Sequence, residues 1–177
     1  DMTDWISETF RSDVGWSHLE TLVNIGNRMA GSEGERKAAE RTCEKLAEVG
    51  ANNAYIEGFA LQGWSRGVSS LERRKTGEVF DCIALPRSPS ESVTAELIDL
   101  GHGVAEDFQG ADVDGKIVMV ASDAPAYYGR IPHRTEKYYR AINEGAVGFL
   151  FRNHIEGCLP PTGSVGRSTK PIGPIPA

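Results

Sequence analysis

Hydrophobic and polar positions predict three consecutive elements between residues 110 and 152. Residues 117–121, I-V-M-V-A, form a short apolar, β-branched run entered from the turn Asp114-Gly115, which predicts a buried strand. Tyr138, Tyr139, Ala141 and Ile142 recur at helical spacing across 136–144, and Gly145 stands where a left-handed residue closes a helix. Residues 146–151 are a second apolar run and a second buried strand. Strand, helix and strand of these lengths make a crossover unit with the two strands parallel.

Upstream the period changes. Over 12–29, Trp16, Leu19, Leu22, Val23 and Gly26 share one side, while Glu20, Asn24 and Asn27 lie elsewhere, as in an amphipathic helix. Ser32 followed by Glu35 fits a capping box, and Glu33 favours the positive end of the helix that follows. That helix runs to about residue 49, burying Ala39, Cys43, Leu46 and Ala47, and stops at Gly50. Residues 55–61 read as a strand. Two helices and one strand cannot close a core of their own, so this piece is unfinished. From Trp64 the pattern is β: strands over 68–73 and 79–85 around Lys75-Thr76-Gly77, then a strand over 93–100. The tail 160–177 holds Pro160, Pro161, Pro171, Pro174 and Pro176, so it is extended or turned. The predicted class is α/β and β-rich, with a boundary near residue 61: segment 1–60, then domain 61–177.

A length of 177 residues allows one domain, or one domain and part of another. The 40% apolar content and mean hydropathy of −0.34 suit a globular chain. No apolar run approaches the ~18 residues of a membrane span. The net charge of −6, with 13 arginines to 6 lysines, gives an acidic surface without a basic stripe, which argues against nucleic acid as a partner. Cys43, Cys82 and Cys158 are odd in number and lack a C-x-x-C pair, so they read as buried free thiols. With no leader visible, they favour the cytoplasm.

Candidate chemistry is sparse. G-H-G at 101–103, followed by Glu106 and Asp107, resembles a ligand set, but His102 lacks a second histidine at i+2 or i+4 and suits a strand-end turn. His18, His133 and His154 are scattered. The loop after the first crossover strand has one glycine and two prolines, which excludes a phosphate cradle. Ser32 and its neighbours are explained by capping. In that same loop Tyr127, Tyr128, Arg130 and His133 crowd together, an amphipathic set of the kind enriched at contact surfaces.

Two stretches carry a family resemblance. R-M-A-G-S-E-G-E-R-K-A-A-E-R-T-C-E-K-L-A-E-V-G resembles the opening of the co-catalytic di-zinc aminopeptidases, which include glutamate carboxypeptidase-like enzymes and the transferrin receptor. L-I-D-L-G-H-G-V-A-E-D-F, D-V-D-G-K-I-V-M-V, A-I-N-E-G-A-V-G-F-L-F and the final I-P-A resemble the protease-associated (PA) domain that many members carry as an insertion. The resemblance implies a PA domain over 61–177, preceded by a helix-helix-strand piece of an incomplete peptidase domain. In that family the zinc ligands and general base follow the insertion, so no catalytic and no metal residue is expected here, and no cofactor. Zinc is expected in a full-length parent. The implied role is to shape substrate access or subunit contacts, with the remainder of the peptidase domain, a peptide substrate and a second copy as partners. The alternative is a receptor-like binding module of the same architecture.

Overall fold

The computed structural model describes residues 2–167 and 171–177, and the chain divides into two units, Asp1–Ser65 and Arg66–Ala177. In the first unit, α1 (Met2–Arg11), α2 (Val14–Asn24) and α3 (Glu33–Glu48) follow one another. Helix α1 is an addition to the pattern read above. Helix α2 stops earlier than residue 29, where Gly26 turns the chain (φ 82°) and the Arg28 guanidinium donates to the Leu22 and Gly26 carbonyls. A cation there satisfies acceptors that the helix end leaves open. Ser32 caps α3, its Oγ accepting from Glu35 N at 3.2 Å, while the Glu35 carboxylate reaches the Gly31 N–H rather than that of Ser32.

Two expectations fail in this unit and a third across both units. Residues 55–61 have no strand, because a strand exists by ladder pairing and no described segment pairs with them. Ala39, Cys43, Leu46 and Ala47 are not buried: Leu46 is 47% exposed and Trp16 65%. The thiols are not buried either, Cys158 being exposed and Cys43 and Cys82 half-buried. Burial and neighbouring Asp81 push the Cys82 thiol above its ordinary range.

The second unit holds the core. β1 (Leu71–Arg73) and β2 (Glu78–Phe80) form the antiparallel hairpin, with Leu71 opposite Phe80, both strands shorter than the sequence pattern. β3 (Leu97–Asp99), β4 (Ile117–Ala121) and β5 (Gly148–Arg152) form a parallel sheet in the order β3-β4-β5, and α4 (Arg134–Asn143) makes the crossover between β4 and β5. The α/β class and the crossover unit are as the sequence implies. Val118 pairs with Ile98 on one side and Phe149 on the other. Gly145 takes φ 89° just past α4, and its carbonyl accepts from Gly115 N, tying the helix end to the turn before β4.

Val118, Val120 and Phe149 are buried, whereas Val147, lying just before β5, is only half-buried. Tyr138 meets Phe149 edge-on at 5.4 Å and Tyr139 at 5.2 Å. Such T-shaped contacts add to area burial. The proline-rich tail then runs beside β5. Pro176 O accepts from Phe149 N, Ala177 O accepts from Leu85 N, and Tyr138 OH both donates to Ile175 O (2.6 Å) and accepts from Ile175 N (3.1 Å). Burial pushes the Tyr138 phenol up to about 12. Leu85 and Ala177, 92 positions apart in the sequence, therefore lie side by side.

Candidate functional site

Parallel strands aim their connecting loops at one end, and the carboxyl ends of such strands are where open α/β sheets place functional groups. Here that end is polar and tightly organised. After β3, Gly101-His102-Gly103 turns the chain with φ 53° and 67° at its glycines. A Cβ on Gly103 would lie 2.8 Å from Val120, so this position admits no side chain. The turn presents His102, whose Nδ1 lies 2.8 Å from Asp123 Oδ1 at the exit of β4. Burial alone would raise the Asp123 carboxyl. The hydrogen bond and charge of His102, its own backbone N–H and His154 together hold it below the ordinary carboxylate range. A carboxylate only accepts, so Nδ1 of His102 carries the proton.

Beneath these groups sits Lys137 of α4, with no exposed surface. Its Nζ donates to Ala121 O (2.7 Å) and Asp123 O (2.5 Å), satisfying carbonyls at and beyond the end of β4. Burial lowers its pKa, with Asp123 and Asp107 opposing and Arg140 adding to the shift. Arg140 donates to Gly103 O at 2.6 Å, so α4 fixes two of the three strand exits. Ser122 fixes the third. Its Oγ lies 2.7 Å from His154 Nδ1 and accepts from His154 N at 3.1 Å, and Asn153 Nδ2 donates to Leu159 O.

The loop between β4 and α4 carries Tyr127, Tyr128, Arg130 and His133. Tyr127 is 74% exposed, and the Arg130 guanidinium lies 5.9 Å from the Tyr128 ring centre. Arg130 forks onto Glu136 at 2.8 and 2.7 Å, and Glu136 also accepts from His133 N at 2.9 Å. That fork, then the backbone bond, holds the Glu136 carboxyl down at about 2. His133 caps α4, its Nδ1 accepting from Thr135 N. The four residues thus share one loop, with Arg130 and His133 tied through Glu136.

Sequence spacing did not single out Ser122, Asp123, Lys137 or His154. The signal available for them was positional, since each strand exit follows directly from the strand assignments. His102, Glu106 and Asp107 do not converge as ligands: Asp107 Oδ2 accepts from Val104 N while His102 faces Asp123. Among the described residues no three His, Cys, Asp or Glu side chains come together to hold a metal ion, so the donor set does not fit a resident zinc. Nor is any described helix long and apolar enough to cross a membrane.

The fold is α/β, with a crossover unit like that of a protease-associated (PA) domain. Residues 93–177 match the PA domain family. Among curated proteins the chain is similar to carboxypeptidase Q of Bos taurus, 27% identical over 143 residues, covering 78% of this chain and 30% of that protein. It is also similar to the minor extracellular protease Vpr of Bacillus subtilis, 26% identical over 155 residues, covering 87% of this chain and 17% of that one. Among solved structures it shares the fold of BSAP, a zinc aminopeptidase from Bacillus subtilis, with a TM-score of 0.64 and 24% identity, over 91% of this chain and 37% of that one. The chain therefore spans between 17% and 37% of the length of each of these relatives.

Proposed function

We propose that the chain is the non-catalytic, PA-bearing portion of a zinc-dependent aminopeptidase-like hydrolase. In this reading the PA domain shapes substrate access or subunit contacts, through the loop bearing Tyr127, Tyr128, Arg130 and His133. The observation that carries the proposal is the match of residues 93–177 to the PA domain, on a fold shared along most of the chain with a zinc aminopeptidase. The partners in this reading are the remainder of the peptidase domain and a peptide substrate. In this reading zinc belongs to the parent and not to the residues of this chain, and would supply Lewis-acid chemistry there.

The test is the activity of the longer polypeptide from which this stretch is read. It should release terminal residues from peptides and lose that activity to a chelator. Tyr127→Ala should raise KM for long peptides and leave a single-residue chromogenic amide unchanged. A zinc-supplemented parent that hydrolyses no peptide would overturn the hydrolase reading and favour a receptor-like module. Equal KM changes for both substrates would remove the loop from substrate access.

A further inference from the structure

Two arginines meet at one residue of the proline-rich tail. Arg66 opens the second unit; its Nη2 donates to Thr162 Oγ1 at 3.2 Å and its Nε to Ala84 O at 3.0 Å. Arg134 is the first residue of α4; its Nη1 donates to Thr162 O at 3.2 Å and its Nε to Ser164 O at 3.0 Å. Each guanidinium is thus anchored by Nε and one terminal nitrogen. The other two, Arg66 Nη1 and Arg134 Nη2, bond nothing among the described residues. They also reach solvent, since the buried polar atoms without a partner are Arg87 Nη1 and Tyr139 OH.

The backbone is shaped around this pair. Gly163 takes φ 139°, and a Cβ there would fall 2.3 Å from Arg134 Cζ, so only glycine lets the tail cross the guanidinium. Thr162 is exposed, which puts the meeting point of the two forks at the surface. Its Oγ1 accepts from Arg66 and keeps its own proton as a further donor.

What the pair lacks is an acid. Elsewhere in this unit Arg73 pairs with Glu78, Lys116 with Asp112 and Arg130 with Glu136. Among the described residues no carboxylate pairs with Arg66 or Arg134. Arg134 is half-buried and stands in the first turn of a helix, where the dipole favours acids over cations. Burial lowers its pKa, and no neighbouring charge opposes that shift. Two like charges held on one residue repel each other, and an anion between them would turn that repulsion into attraction.

We propose that Arg66, Arg134 and the Thr162 hydroxyl form a surface site for a small oxyanion, a carboxylate or a phosphate group. The two share the chemistry that this pair selects, oxygens that accept parallel N–H donors from planar forks. Because both guanidinia are already fixed by carbonyls of the chain, binding does not have to order two long side chains. The site uses no residue of the contact loop Tyr127–His133, and its test is separate from that of the hydrolase reading.

The experiment is an NMR titration of the isotope-labelled 177-residue chain with sodium phosphate, and separately with sodium acetate. Ionic strength is held at about 0.1 M with sodium chloride, so that general screening stays constant. At least one anion should saturate with a Kd on the order of mM. The largest shifts should fall on the Nε–H signals of Arg66 and Arg134 and on the amides of Thr162 and Gly163. Saturation by phosphate alone assigns the site to free phosphate, and saturation by acetate assigns it to carboxylates such as acidic side chains; either upholds the oxyanion. Arg66→Gln should weaken binding about tenfold. Arg134→Lys keeps the cation beside the tail and should weaken binding by a similar factor, because an ammonium cannot fork. Arg73→Gln, on the hairpin, should leave the Kd unchanged. If a variant at Arg66 or Arg134 melts early, the shift map of the parent chain decides alone. No saturation by either anion overturns the site, as do shifts of equal size at the other arginines, or full affinity in a folded Arg66→Gln chain.

Discussion

The two units of this chain are built from similar helix and strand signals and end in opposite states. Among the described residues of 1–65 none is buried, although α2 and α3 carry apolar stripes. Every buried core residue, from Leu85 to Val165, belongs to 66–177. Charge divides as unevenly, with 6 basic and 11 acidic residues in the first unit against 13 and 14 in the second. Amphipathic patterning thus specifies which face wants cover, and topology decides whether cover exists. In the second unit β4 lies between two strands, with α4 and the tail packed around it. Among the described residues the first unit contains no strand for its helices to cover.

The sharpest way to break this comparison is to remove one side chain from each unit. Phe149→Ala should destabilise the second unit by about 3–5 kcal/mol, the usual cost of deleting a buried aromatic. Phe149 touches Tyr138 edge-on and stacks near Phe151 at 6.2 Å, so its cavity cannot collapse freely. A denaturant midpoint shift worth less than about 1 kcal/mol would mean that β5 is not the wall of the core.

A smaller effect tests how the tail completes the unit. Tyr138→Phe keeps the ring and removes the oxygen that serves both polar atoms of Ile175. Two partly buried backbone groups then lose their partner, at a cost of about 1–3 kcal/mol. Loss of protection from hydrogen exchange should be concentrated at Phe149 and Leu85, whose N–H groups donate to Pro176 and Ala177. Protection unchanged at both amides would show that the tail is held without the phenol.

What could be read from the sequence follows the range of the contacts. The crossover unit was legible because β4, α4 and β5 are consecutive and their signals are local: β-branched runs, a helical spacing, Gly145. The α3 start was legible for the same reason at Ser32. The pairing of Leu85 with Ala177 was not, since two short apolar pieces so far apart carry no local sign of contact. Residues 55–61 misled in the other direction. Their aromatic and β-branched residues suit a strand, and a strand needs a neighbour that the described residues do not supply. The candidate site was half legible. The loop at Tyr127–His133 announces itself by composition, whereas His102, Asp123, Ser122 and His154 meet only because parallel strands end together.

Smaller again is the contribution of the contact loop to the helix it precedes. His133→Ala removes the α4 cap and should cost about 1 kcal/mol, while His133→Asn should restore most of it. The Arg130–Glu136 fork adds a pH signature. The Glu136 carboxyl is depressed from 4.5 to about 2, so the stability it lends is present above the unfolded value and lost as pH falls through that interval. Both groups are substantially exposed, which keeps this contribution small. Glu136→Gln should flatten that part of the acid melting curve. An unchanged curve would show that the fork is not maintained in solution.

The smallest expected change in stability is in the first unit. An open groove of about 480 Å³ lies along α2 and α3, with Leu22, Leu46 and Val49 among its lining and Lys45 and Glu48 at its rim. Leu46 is 47% exposed, so Leu46→Ala removes little that folding has buried and should change stability by no more than about 0.5 kcal/mol. The same exposure predicts a large change in association. Trp16, Leu19, Val23, Leu46 and Val49 on α2 and at the end of α3 are all exposed, and large apolar side chains left in water favour association. We therefore expect the chain to self-associate through this face, so that the average mass in sedimentation rises with concentration. Leu19→Ser with Leu46→Ser should hold the chain as a monomer across the same series, with the melting of the second unit unchanged. A parent chain that stays monomeric throughout would mean that these stripes need no cover, and the contrast between the two units would then reflect composition rather than a missing partner.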